Sequence, residues 1–74
     1  MSFTVQEVTE AFAFLDELRE SGVTNMFGSG QYVQDDLGYT KREAFSLVAD
    51  WMKTYDGDSS AQARAESLFQ EGAV

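Results

Sequence analysis

The sequence predicts an all-α fold, a compact bundle of about four short helices. Three observations carry this. Apolar residues recur at helical spacing in every ordered stretch, and no stretch alternates with period two. Two Thr-x-x-Glu capping boxes open helices, at Thr4 and Thr40. Glycines then fall where those helices should stop, with no proline anywhere in the chain.

The first helix spans roughly residues 5–21. Thr4 accepts from the Glu7 amide while Glu7 reaches back, and Val5, Val8, Ala11, Phe12, Leu15 and Leu18 form the apolar stripe with Phe14 on its flank. Gly22 is a suitable left-handed stop. Residues 22–30 read as a loop of turn formers that carries Val23, Met26 and Phe27, apolar groups expected to pin it to the core. A short second helix follows at about 31–37, with Tyr32, Val33 and Leu37, and ends at Gly38. The third, about 41–55, has Ala44, Phe45, Leu47, Val48, Ala49, Trp51, Met52 and Tyr55 over more than half its circumference. That is wider than the ~100° stripe of an ordinary surface helix, so this helix is expected to be the central element. Asp56-Gly57-Asp58-Ser59-Ser60 breaks it, and Ser59 or Ser60 caps a last helix at about 61–71. With only Ala61, Ala65, Leu68 and Phe69 apolar, that helix is expected to dock most loosely.

Composition narrows the function. The 74 residues make one small domain, too short for a deep pocket with supporting layers around it. Without Cys or His, zinc fingers, thiolate chemistry and Ser-His-Asp triads are excluded. A net charge of -8 opposes general polyanion binding and adhesion to acidic membranes. The amino-terminal residues contain no signal peptide and no run approaches a membrane span, so an intracellular location is expected.

Several features could carry chemistry. Tyr32 to Leu47 reads as a helix-turn-helix, with Lys41 and Arg42 at the start of the would-be recognition helix as candidate DNA contacts. Against it, Gln34 stands where a small residue is usual, Asp35 and Asp36 would face phosphates, and five basic residues offer little electrostatic affinity. Arg19 lies on the azimuth of the first helix's apolar stripe; it is expected to form a structural brace, with loop carbonyls of residues 22–28 or with Glu43. Glu7, Glu10, Asp16, Glu17 and Glu20 read as a solvated face rather than an acid/base pair. The Asp56 run begins like a calcium loop but has Ala61 at the sixth position and Ser67 at the twelfth. Gly28-Ser29-Gly30 lacks the lysine and strand of a phosphate loop and reads as a flexible turn. No catalytic residue, metal ligand or cofactor is expected.

The remaining signal is a surplus of large apolar groups. Ten aromatics plus Met26 and Met52 exceed what so small an interior hides. Some of Phe27, Tyr39, Phe45, Trp51 and Tyr55 are therefore expected at the surface, as an interface for a protein partner or a second copy of the chain.

The stretch Leu15-Asp16-Glu17-Leu18-Arg19-Glu20-Ser21-Gly22-Val23-Thr24-Asn25-Met26-Phe27-Gly28 resembles a recurrent element of small phage-encoded proteins of unassigned function. There a helix ending in Leu-Arg-x-Ser-Gly leads into Thr-Asn-Met-Phe-Gly, then a short helix, a Glu-Ala pair and a Trp-Met pair. Glu43-Ala44 and Trp51-Met52 match those pairs, so the resemblance covers roughly residues 12–52. Some relatives carry a proline where the second helix begins; this chain has none. The resemblance implies a virus-encoded accessory protein in the host cytoplasm, and brings no activity with it. The leading expectation is a non-enzymatic, acidic protein-interaction module that binds a host or phage protein or itself. The alternative is a helix-turn-helix DNA-binding protein. Third comes an acidic nucleic-acid mimic acting on a host factor.

Overall fold

A computed structural model of the chain describes residues 3–22 and 28–70. Four helices follow in order: α1 Val5–Ser21, α2 Ser29–Leu37, α3 Lys41–Thr54 and α4 Ala61–Gln70. No strand occurs among the described residues.

The local signals act as expected. Thr4 Oγ1 accepts from the Glu7 amide at 3.0 Å while Glu7 Oε1 accepts from the Thr4 amide at 2.8 Å. Thr40 and Glu43 repeat the arrangement at 3.1 and 2.9 Å at the start of α3. Each box satisfies amide donors that the first turn of a helix leaves without partners. Gly22 and Gly38 close α1 and α2 in the left-handed region, at φ 71° and 79°, where a side chain would clash with its own backbone. Of the two serines proposed to cap α4, Ser60 does so, accepting from the Ala63 amide at 3.1 Å. Ser59 instead belongs to the turn before it.

Three expectations are corrected. α2 begins at Ser29, so Ser29 and Gly30 form its first turn and are no flexible loop, and Ser29 is buried. α1, not α3, is the hub: it alone packs closely against each of the other three helices. And α4 is not loosely docked, since its pairing with α1 is the most extensive in the molecule. Ala11 on α1 and Ala65 on α4 are fully buried, and short side chains of this kind let packed helix backbones approach closely.

The core gathers Phe3, Val8, Ala11, Phe12 and Leu15 with Val33, Ala44, Leu47, Val48, Trp51, Ala65 and Leu68. A radius of gyration of 11.2 Å matches the ~11 Å of a compact chain of this length. The expected loop of residues 22–30, with Phe27, lies largely outside the described residues.

Candidate functional site

The structure divides the proposed surface aromatics into two groups. Trp51 is withdrawn from the surface at 1% exposure, and its indole Nε1 donates to Asp16 Oδ1 at 2.9 Å. Tyr55 is half-buried, tilted against Trp51 with ring centroids 5.3 Å apart. Tyr39 is half-buried with its ring edge-on to Phe3 at 5.8 Å. Burial pushes its hydroxyl pKa up, and the carboxylates of Glu7, Glu10 and Glu43 push it further the same way. Phe45 differs, standing 76% exposed. Phe27 is outside the described residues.

Phe45 does not stand alone. Ala49 and Met52 follow it at i+4 and i+7, the spacing of one helix stripe; Ala49 is exposed and Met52 is 39% exposed. This stripe, with Ala44 and Val48 beneath it, forms one wall and the floor of a groove of about 470 Å³ between α2 and α3. The opposite wall is Gly28, Gly30, Gln31 and Gln34, and Lys41 lies at one end. A methyl group built on Gly30 would meet nothing within 4 Å, so the glycine leaves this wall low. The surplus breadth of apolar surface on α3 is thus only partly buried. Its inner arc packs in the core, and its outer arc faces the groove.

Lys41 and Arg42, the candidate DNA contacts, are both exposed in the first turn of α3. Lys53 is exposed in its last turn. Near it Asp50 is half-buried, and burial raises its carboxyl pKa although Lys53 acts the other way. Asp35 and Asp36 are exposed on α2.

On the far side of the molecule the sequence reading missed a polar cluster. Arg64 of α4 is 4% exposed, and its Nη2 donates to Asp16 Oδ2 at 2.6 Å. Its Nε donates to the Ser59 carbonyl at 3.3 Å. Its Cζ sits 5.7 Å from the centroid of the Phe12 ring and 5.4 Å from that of Tyr55. Nη1 is buried without a hydrogen-bond partner, and aromatic faces are what the guanidinium meets there. Asp16 therefore leaves the solvated face assigned to it and ties α1 to α3 and α4 together. The reasoning that picked out Arg19 would have found Arg64, since it shares the azimuth of Ala61, Ala65 and Leu68.

Arg19 is exposed beside the Tyr55 ring, and the loop carbonyls of residues 22–28 expected to hold it lie largely outside the described residues. Its Cζ lies 4.8 Å over Tyr55. Glu43 is not its partner, because that carboxylate is engaged in the Thr40 cap. Asp56 staples the α3–α4 turn, accepting at Oδ1 from the amides of Ser59 (2.8 Å) and Asp58 (2.9 Å), and at Oδ2 from the Ser59 hydroxyl (2.8 Å). These bonds, the Ser59 amide first, lower its pKa to about 2. Among the described residues no acidic cluster suits a metal ion, and no helix is long and apolar enough to cross a membrane.

Comparison with family models, curated proteins and solved structures finds no match to this chain.

Proposed function

We propose that the chain is a non-enzymatic protein-interaction module whose contact face is the outer side of α3 beside α2. The observation that carries this reading is Phe45, a large aromatic at 76% exposure on the rim of an apolar groove. Exposed aromatics beside an apolar depression are the usual anchors of protein interfaces, because little ordering is needed to bury a large area. The ionisable groups that do converge, Asp16 and Arg64, are engaged with each other, with Trp51 and with Ser59. They serve cohesion between helices, and Arg64 also lines, with Lys53 and Asp56, a second depression of about 360 Å³ between α3 and α4. The resemblance of residues 12–52 to small phage-encoded proteins supports a virus-encoded accessory role in the host cytoplasm.

The test is affinity capture from host lysate with the wild-type chain and with Phe45→Glu. A partner retained by the first and lost by the second, with unchanged circular dichroism, supports the module. Equal retention by both removes the α3 face from the proposal.

A DNA-reading helix-turn-helix is the second reading, favoured by Lys41 and Arg42 at the exposed start of α3 after the Gly38 turn. Phe45 and Met52 occupy the middle of the face that would enter the groove, and Asp35 and Asp36 flank it. Salt-sensitive retention on duplex DNA, abolished by Lys41→Ala with Arg42→Ala, would establish it. The acidic-mimic reading has less support. Glu7 is turned into a cap and Asp16 inward, leaving Glu10, Glu17 and Glu20 exposed on α1.

A further inference from the structure

We infer that the α2–α3 groove receives an acidic amphipathic helix of a partner protein. This rests on the protein-interaction reading above and gives the partner its chemistry.

The argument is one of charge placement. The chain carries five basic residues against thirteen acidic ones. Two of the five, Arg19 and Arg64, lie over the Tyr55 ring on the other side of the core. The remaining three, Lys41, Arg42 and Lys53, are all exposed on α3. Helical periodicity sets Arg42 and Lys53 along the outer border of the Phe45–Ala49–Met52 stripe, while Lys41 lines the groove itself. Among the described residues none of these three is in an ion pair. The facing wall contributes Gln31 and Gln34, uncharged donors and acceptors, with Gln31 also donating to Asp35 at 3.0 Å. A molecule of net charge -8 thus sets these three basic residues around the most exposed aromatic among the described residues, with Asp35 and Asp36 exposed on α2 outside the groove lining.

Shape points to a helix. A groove between two helices accepts a third by presenting apolar residues at i, i+4 and i+7 to complementary positions. From Lys41 to Lys53 the stripe runs about 18 Å at 1.5 Å per residue, the length of about twelve helical residues. Apolar anchors would seat against Phe45, Ala49 and Met52, and flanking Glu or Asp would meet Arg42 and Lys53.

A second copy of the chain fits less well. A twofold interface through this face would set Lys41, Arg42 and Lys53 against themselves. The chain's own acidic helix offers no insert either: the exposed positions of α1 are Gln6, Glu10, Ala13, Glu17, Arg19, Glu20 and Ser21, with no large apolar group.

The experiment measures anisotropy of two fluorescein-labelled helical peptides of about 16 residues titrated with the full chain. Both carry Leu at i, i+4, i+7 and i+11; one is flanked by Glu, the other by Lys. The Glu peptide is expected to bind at least about tenfold more tightly, the advantage shrinking as salt rises. Phe45→Glu should weaken it by about tenfold or more, and Arg42→Glu with Lys53→Glu should reverse the preference, both with unaltered thermal melts. Equal or tighter binding of the Lys peptide overturns the acidic partner while leaving the interaction module standing. So does a Phe45-dependent partner captured from lysate when the Glu peptide fails. Loss of both capture and peptide binding sinks both readings. A Phe45-dependent dimer in sedimentation, or duplex DNA displacing the Glu peptide, assigns the face to a second copy or to nucleic acid and overturns the inference.

Discussion

The two sides of α3 invert the usual placement of residues. Toward α1 and α4 the molecule buries a guanidinium and sets a half-buried carboxylate against it: Asp16 holds both Arg64 and the Trp51 indole. Toward α2 it leaves Phe45, Ala49 and Met52 outside beside uncaptured lysines and arginine. The first side spends polar groups on fixing how three helices meet. The second leaves apolar surface uncovered, the kind of surface on which protein contacts form. Stability and recognition are therefore expected to separate between these sides, and substitutions can test that separation.

On the polar side of α3 the largest effect is expected at Asp16. Asp16→Ala strands the Arg64 charge in the interior and leaves the Trp51 N–H without its acceptor, a loss of about 3 kcal/mol in urea unfolding. Adding Arg64→Leu should recover much of it, because removing a buried charge with its partner is far cheaper than removing the partner alone. If the double variant is no more stable than Asp16→Ala, the pair does not organise this side.

Glycines give the next contrast. Gly38 sits at φ 79° between α2 and α3, so Gly38→Ala should destabilise by about 1 kcal/mol although a methyl group there meets nothing. Gly30 is helical and equally uncrowded, so Gly30→Ala should stabilise by about 0.5 kcal/mol. Opposite signs in thermal melts are the expected outcome. By filling the low wall of the groove, Gly30→Ala also offers a mild probe of binding.

Acid provides a smaller test. Asp56 titrates near 2 in the folded chain and at about 3.9 unfolded. Its contribution is complete above the unfolded value and is lost as pH falls from about 4 toward 2. Asp56→Asn, which keeps an acceptor but does not titrate, should flatten the acid limb of the stability curve in that window. An unchanged limb would show that the turn staple has no part in acid unfolding.

How much of this was readable in the sequence follows the same division. Caps and stops are local, so Thr4, Thr40, Gly22 and Gly38 could be read directly from their neighbours. Burial is not local. The broad apolar arc of α3 says how much surface wants covering, not whether anything covers it, and so Trp51 and Phe45 looked alike though one is inside and the other out. Asp16 and Arg64 are 48 positions apart, and although the azimuth of Arg64 beside Ala65 and Leu68 marks it, nothing local names its partner. The centrality of α1 was hidden for a related reason. Its stripe does not say how many helices will cover it, and α2, α3 and α4 all pack against α1.

The smallest stability change is expected at the proposed contact residue. Phe45 is 76% exposed, so Phe45→Gln removes little buried area and should alter unfolding free energy by no more than about 0.5 kcal/mol. Two positions on, Leu47 is 1% exposed, and Leu47→Ala should cost about 2–4 kcal/mol through lost burial and the cavity left behind. The two residues share a helix and differ only in which way they face. If Phe45→Gln proved as damaging to folding as Leu47→Ala, the aromatic would belong to the core and the open side of α3 would not be a contact face. If instead it leaves the melt untouched and abolishes partner capture, conservation of fold with loss of binding isolates the groove as the surface on which the molecule acts.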